Sequence, residues 1–208
     1  MELEDKITAL EKTIANLRRA LEGTIKTLTI ASEVKKHYTA GHQRRVADLA
    51  RAIAQEMDLP ENVVDGIRMA GLIHDLGKIS VPCEILGKPS KLNDLEFQLV
   101  KTHPEVGYAL LKDVEFLWPV ADIVLQHHER INGSGYPKKL KGPVIRIEAK
   151  TIAVADVVEA ISSARPYRRE LGLEVALEQI SKNRGILYDE KVADACLRLF
   201  EEKGFKFK

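Results

Sequence analysis

The sequence has few of the features that mark secreted, membrane-spanning or nucleic-acid-binding proteins. Its 208 residues include two cysteines, Cys83 and Cys196, which lie far apart without C-x-x-C spacing. This rules out a disulfide framework and fits a reducing cytoplasm. No apolar run is long enough to span a membrane, and the first residues lack a signal-peptide pattern. The 32 basic and 31 acidic residues give a net charge of +1, which argues against a nucleic-acid polymer or a membrane as partner. We therefore expect a cytoplasmic protein with no membrane span.

The first 36 residues are predicted to form a signalling or dimerisation helix. Apolar residues recur at alternating intervals of four and three: Leu3, Ile7, Leu10, Ile14, Leu17 and Leu21. This is the a/d stripe of a coiled coil, and it predicts a homodimer formed through this helix. An amphipathic helix packed on its own domain has nearly the same pattern over so short a run, so both interpretations stay open.

Residues 37–208 are predicted to form a single all-α domain, because apolar residues recur at helical spacing and no stretch alternates with period two. Asn93 and Glu96 resemble a capping box, and Pro104 resembles a proline at a helix start. Leu117 is assigned to the same helical face as His127. Further helices are predicted over residues 147–161, 173–183 and 189–202, with loops over 79–92, 131–144 and 164–169.

The stretch from Gly71 to Lys78 places a histidine beside an aspartate at the end of an apolar helix, which Gly77 is predicted to terminate as a C′ glycine. Buried ionisable groups are unfavourable without a compensating partner, so His74 and Asp75 require one. A divalent cation meets this requirement, and an ordinary hydrogen bond at the helix end is the alternative.

Other histidines and one aspartate follow at similar intervals, each about one helix and its connection long. Successive helices of a bundle can bring such residues to one place. The seven candidate ligands are His42, His74, Asp75, His103, His127, His128 and Asp156. They are too many for one ion but suit two ions that share a carboxylate and activate a bridging hydroxide. Imidazole and carboxylate ligands favour iron, manganese or zinc, and the lack of cysteine argues against structural zinc.

Positively charged residues near these ligands predict a phosphate substrate. Lys78 lies one helical turn after His74, where its ammonium can meet a phosphate oxygen. A lysine that complements the helix dipole is the alternative. Arg165 and Arg168 flank Pro166 and Tyr167 in a short loop that suits a phosphate clamp, although a solvated charged loop has the same composition.

The ordered motifs resemble the HD-GYP domains, a branch of the HD phosphohydrolase superfamily, over roughly His37 to Phe200. The motifs are His42-x-x-Arg45-Val46, His74-Asp75-Leu76-Gly77-Lys78, His103-Pro104-x-x-Gly107, His127-His128-Glu129-Arg130, Gly133-Ser134-Gly135-Tyr136-Pro137, Val154-Ala155-Asp156 and Arg165-Pro166-Tyr167-Arg168.

This resemblance implies an HD-domain helical bundle that hydrolyses cyclic di-GMP to pGpG or GMP with two divalent ions, iron or manganese first. It implies that all seven candidates are ligands, that Asp75 bridges the ions and that Lys78 meets the scissile phosphate. Tyr136, Arg165 and Arg168 would shape the substrate pocket, and Arg45 would support the site without touching substrate. An upstream sensor domain is a further expectation.

A third metal ion is not expected. Some members of the family hold one through a glutamate four residues before the first histidine, where this chain has Tyr38. A phenol is a poor ligand near neutral pH because its pKa is ~10. His37 is expected to lie outside the site. Two alternatives to the enzyme remain: a non-catalytic receptor or partner-binding module for cyclic di-GMP, and an HD phosphohydrolase of another nucleotide.

Overall fold

The regular structure of the chain is helical throughout the residues described by a computed structural model, which are 2–34, 41–163 and 172–207. Within these ranges no strand forms, and β-type pairing is confined to isolated bridges. The helices are α1 (Glu2–Val34), α2 (His42–Glu56), α3 (Glu61–Ile73), α4 (Cys83–Leu86), α5 (Asp94–Val100), α6 (His103–Leu111), α7 (Val120–Gln126), α8 (Ile147–Ser162), α9 (Leu173–Lys182) and α10 (Glu190–Glu201), with 3-10 helices at Leu76–Ser80 and Gly142–Val144. The all-α prediction is confirmed.

Local signals in the sequence placed several helix ends correctly. Asn93 accepts a hydrogen bond from the Glu96 amide at 2.9 Å, and the Glu96 carboxylate accepts one from the Asn93 amide at 2.8 Å. This is the predicted capping box, and it satisfies amides that have no partner within the helix. Pro104 lies in the first turn of α6 as predicted. Helices α8, α9 and α10 match their predicted ranges to within one residue.

The predicted role of Gly77 is wrong. Helix α3 ends at Ile73, and Gly77 lies in the following 3-10 helix, so it is not the C′ glycine of α3. A Cβ atom on Gly77 would lie 1.9 Å from the carbonyl oxygen of His103. The residue is therefore glycine because the backbone of α6 approaches it closely. This contact holds the chain after Asp75 against the start of α6.

Two smaller predictions also need correction. Leu117 precedes α7 and is 87% exposed, so it does not share a buried face with His127. The predicted loop over residues 79–92 contains the short helix α4 and the end of a 3-10 helix. Periodicity fails in both places because the structured segments are shorter than two helical turns.

The core lies between α2, α3 and α8, and apolar faces of α7, α9 and α10 extend it. Leu49, Ile53, Ile67 and Ile152 are fully buried there. Truncating one such side chain to alanine typically costs ~2–5 kcal/mol of stability. This packing holds rigidly the helices whose ends carry the candidate ligands.

Helix α1 touches the rest of the chain through its C-terminal half. Ile25 and Thr29 are buried, and the Thr29 hydroxyl donates a hydrogen bond to the Leu72 carbonyl oxygen at 2.8 Å. The predicted apolar stripe lies outside this contact, and its residues are exposed by 43% at Leu21 to 71% at Leu3. In the described part of the chain the stripe therefore does not pack on its own domain. No helix there is long and apolar enough to cross a membrane.

Candidate metal centre

Seven histidine and aspartate side chains, most of them at or next to helix ends, meet around one central place. His42 and His103 are the first residues of α2 and α6, and His74 and His127 directly follow α3 and α7. Asp156 lies within α8, whose neighbouring residues are buried apolar side chains. The structure thus brings together every side chain that the sequence nominated as a ligand. Their role as ligands remains a prediction.

The seven side chains form two adjoining clusters, within each of which the candidate ligand atoms lie within 4.8 Å of one another. Cluster A contains His42, His74 and Asp156; cluster B contains Asp75, His103, His127 and His128. Oδ1 of Asp75 lies 3.4 Å from Nε2 of His103 and 3.8 Å from Nε2 of His74. Asp75 therefore stands between the clusters, where a shared carboxylate is required.

Backbone carbonyls set the tautomers of three of the histidines. The Nδ1–H groups of His74, His103 and His127 donate to the carbonyl oxygens three residues earlier, at 2.8, 2.7 and 2.6 Å. Each Nε2 is then unprotonated and points its lone pair into the clusters. A neutral imidazole held in this way is ready to bind a metal ion.

The contacts among these lone pairs test whether a cation fits. Nε2 of His103 lies 3.3 Å from Nε2 of His127, and both atoms are acceptors, so the contact is not a hydrogen bond. Nε2 of His74 is buried and has no hydrogen-bond partner. Such atoms are unfavourable in a protein interior unless something positive lies among them. The donor set therefore fits divalent cations in both clusters.

Burial keeps most of these imidazoles neutral. It lowers the pKa of His127 to about 3 and lowers the pKa values of His74, His103 and His128. The Lys78 ammonium lowers the pKa of His103 further. Protons therefore do not compete for these ligands near neutral pH.

His42 and Asp156 behave as a pair of opposite charges. Burial lowers the pKa of His42, but hydrogen bonds with Asp156 and Glu159 outweigh it and raise this pKa to about 9. Burial raises the pKa of Asp156, but His42 outweighs it and holds this pKa well below its usual range. The carboxylate of Asp156 is therefore ionised at neutral pH, as a metal ligand must be.

Glu159, a residue that the sequence did not single out, contacts both His42 and Arg45 beside cluster A. Nδ1–H of His42 donates to Oε2 of Glu159, and Arg45 donates to Oε1 of the same carboxylate at 2.8 and 2.6 Å. Arg45 thus contacts the carboxylate that holds the candidate ligand His42, and its supporting role stays a prediction. Glu159 was not predicted, although its spacing of three residues after Asp156 on an apolar helix marked it as a second buried acid.

Lys78 and Tyr136 lie beside cluster B. The Lys78 ammonium is 2.5 Å from Oδ2 of Asp75, and its side chain is 18% exposed, so it faces both the ligands and solvent. The Tyr136 ring centroid lies 4.7 Å from that of His128. The ammonium of Lys101, which sequence reasoning also missed, lies 5.6 Å from the Tyr136 ring centroid. Lys78 and Tyr136 thus each border cluster B, and Lys101 lies next to the Tyr136 ring.

The loop that carries Tyr136 is held by a buried carboxylate. Glu129 accepts hydrogen bonds from the amides of Lys138 at 2.7 Å and Leu140 at 2.9 Å. Gly135 lets the loop pass close to the backbone of Arg130, because a Cβ atom at Gly135 would lie 2.4 Å from the backbone nitrogen of Arg130. The Tyr136 side chain is thus presented by a rigid loop.

The predicted loop over residues 164–169 and four residues nominated for or against a role in the site lie outside the described residues. The four residues are Arg165 and Arg168, nominated for phosphate binding, and His37 and Tyr38, which bear on a third metal ion.

Comparisons with known proteins give the same family as the site. A family profile described as HD domain matches residues 28–192. The chain is 38% identical over 200 residues to the cyclic di-GMP phosphodiesterase response regulator RpfG of Xanthomonas campestris pv. campestris, covering 95% of this chain and 52% of that protein. It is 35% identical over 170 residues to the 3'3'-cGAMP-specific phosphodiesterase 1 of Vibrio cholerae, covering 80% of this chain and 39% of that protein.

A solved structure supports the fold. The crystal structure of the cyclic GMP-AMP-specific phosphodiesterase V-cGAP3 of V. cholerae aligns with a TM-score of 0.66 at 18% identity, covering 86% of this chain and 48% of that one. The chain thus spans about half the length, or less, of these relatives. Its profile match, its relatives and its helical fold agree with its motifs: the chain belongs to the HD domain family, as the HD-GYP resemblance implied.

Proposed function

We propose that this chain is a metal-dependent phosphodiesterase that hydrolyses cyclic di-GMP to pGpG or GMP. The observation that carries the proposal is the position of Asp75 between two clusters of buried imidazole and carboxylate ligands. Relatives that cover nearly all of this chain are named cyclic di-GMP phosphodiesterases. Two divalent ions held side by side can stabilise both the attacking and the leaving oxygen of an in-line displacement at phosphorus.

Each cluster would hold one ion, with Asp75 shared between them. Mixed nitrogen and oxygen ligands favour iron or manganese. When bound, such ions supply an activated water and positive charge for the phosphate oxygens.

The chain's own groups then position the substrate. Lys78 offers an ammonium at the edge of cluster B for a phosphate oxygen, and the Tyr136 ring, beside His128, offers a flat apolar face for a guanine base. Arg165 and Arg168 add charge for the phosphates, in keeping with their place a few residues after the ligand helix α8.

The test is turnover by protein purified without oxygen and supplied with Fe²⁺ or Mn²⁺. We expect cyclic di-GMP to be converted to pGpG or GMP, as separated by chromatography, and Asp75→Asn to be inactive. Binding of intact dinucleotide without turnover by the metal-replete protein would instead support a receptor.

A second substrate is 3'3'-cGAMP, because one relative with 35% identity is specific for it. The same assay with both dinucleotides compares their kcat/KM values. A higher kcat/KM for 3'3'-cGAMP, or for another nucleotide, would leave the proposed metal-dependent hydrolysis standing and would refute cyclic di-GMP as the preferred substrate.

We also propose that a second copy of this chain covers the exposed stripe of α1. The stripe is narrow, with a/d spacing, and that geometry suits a two-stranded coiled coil. Helix α1 continues directly into the contact with Leu72, two residues before His74. An upstream sensor connected through α1 would therefore act close to the ligands.

A further inference from the structure

His42 is held in the site differently from the other oriented histidines. His74, His103 and His127 donate their Nδ1–H groups to neutral backbone carbonyls. His42 donates its Nδ1–H group to the carboxylate of Glu159. A carboxylate partner makes an imidazole a stronger electron donor at its other nitrogen, whereas a carbonyl does so less.

Glu159 is built into the protein to accept this hydrogen bond. Its side chain is 2% exposed, and it receives two bonds from Arg45 and one, at 2.9 Å, from the Ser163 hydroxyl. A buried carboxylate with this many donors keeps both its charge and its position. Glu159 lies three residues after Asp156 on α8, so the same helix supplies a ligand of cluster A and the support of a second ligand.

The charged side chains beside the two clusters also favour cluster A as the place for a cation. In cluster A, Arg45 offsets the charge of Glu159 and leaves the carboxylate of Asp156 for a cation. In cluster B, the ammonium of Lys78 lies 2.5 Å from Asp75 and offsets the carboxylate there. A divalent cation that displaces the proton of His42 therefore meets the more negative surroundings in cluster A.

We propose that Glu159 is a positioning residue that makes the two ion sites unequal, so that the cluster of His42, His74 and Asp156 binds its divalent cation more tightly and fills first. The inference rests on the metal dependence of the proposed function. It adds an order of filling and names the side chain responsible. The concentration of free metal ion that fills cluster B, the weaker site, then determines whether both ions are bound.

The test is Mn²⁺ binding by the metal-free protein, measured in competition with a chelator and without any substrate. The parent is expected to show two distinct dissociation constants. In Glu159→Gln the tighter constant should weaken by ~10–100-fold, the usual effect of losing such a partner, while the weaker constant stays the same. Electron paramagnetic resonance gives an independent readout: one equivalent of Mn²⁺ should give isolated ions in the parent and a mixture with coupled pairs in the variant.

Two further variants test whether the weaker binding is specific to Glu159 and whether it could come from poor folding. Glu148→Gln removes another acid of α8, one that lies near Arg146 at 4.0 Å, and should leave both constants unchanged. The double variant Arg45→Gln with Glu159→Gln removes the arginine together with its carboxylate partner, and it should reproduce the selective loss even if the single variant folds poorly. Circular dichroism of the metal-free proteins checks folding.

The inference would be overturned by equal constants in the parent, or by a loss in Glu159→Gln that is equal at both sites or absent. Because the measurement contains no dinucleotide, its result is separate from that of the turnover assay. Two different dissociation constants without hydrolysis would refute only the proposed phosphodiesterase activity. Hydrolysis with two equal dissociation constants would refute only the proposed order of filling and the role of Glu159 in it.

Discussion

Replacing Lys78 with alanine separates charge stabilisation from metal binding. The Lys78 ammonium is the partner of Asp75 at 2.5 Å, yet it was not nominated as a ligand and carries the wrong charge to be one. We expect Lys78→Ala to retain both ions and to hydrolyse the substrate slowly. Asp75→Asn should lose metal and activity together, because one carboxylate serves both clusters.

The size of the Lys78 effect follows from Coulomb's law. An ammonium ~4 Å from a charged phosphate oxygen contributes ~4 kcal/mol at an effective dielectric constant of ~20. The side chain is 18% exposed, so solvent screens part of this interaction. Losing one electrostatic stabiliser of a transition state usually costs ~2.7–4 kcal/mol, or ~10²–10³-fold in kcat, and we expect a value in that range.

The assay combines steady-state kinetics on cyclic di-GMP with metal analysis of the same samples. Lys88→Ala is the matched control, because Lys88 forms a similar ion pair, with Glu96 at 2.7 Å, outside the two clusters. Metal loss in Lys78→Ala as large as that in Asp75→Asn would refute the separate roles of the two residues. A kcat of Lys78→Ala equal to that of Lys88→Ala would refute charge stabilisation by Lys78.

Four other predictions address the parts of the proposal that lie outside Lys78. Deleting residues 1–22 should turn a dimer into a monomer by light scattering, and a surviving dimer would place the interface elsewhere. Replacing Arg165 and Arg168 with alanine should raise KM more than it lowers kcat, and an unchanged KM would remove both from the substrate site. Anomalous scattering should show two metal peaks, and a third strong peak beside His42 would make His37 a candidate ligand again. In urea, the metal-free protein should be most stable near pH 6.5, the ordinary pKa of histidine. Below pH 6.5 the His127 imidazole binds a proton in the unfolded chain but not in the folded protein, because burial lowers its folded pKa to about 3. The free energy of unfolding therefore falls as the pH falls below 6.5. Above it, stability is lost towards the pKa of His42, about 9, which burial lowers but Asp156 and Glu159 raise. Stability that rises steadily through pH 6.5 would contradict this balance.

Residue types and their spacing were enough to determine the helical class and the ligand candidates. Apolar periodicity defines helices as long as α8, and local capping chemistry defines the start of α5, because both depend on residues within a few positions of each other. Histidines and aspartates beside buried apolar residues require partners wherever the chain goes, so their chemistry was visible before the fold was known.

Tertiary structure alone decided the features that depend on residues far apart in the chain. Gly77 was assigned to a helix end, but the carbonyl oxygen of His103 explains it. His42 meets Glu159 across 117 positions, and the stripe on α1 is exposed, whereas Ile25 and Thr29 of the same helix contact the domain. Which partner a buried group finds depends on how helices pack, and packing is a property of several segments at once. The sequence therefore specified the candidate ligands, while the packing of α2 on α8 decided that one of the candidate histidines would be held by a carboxylate.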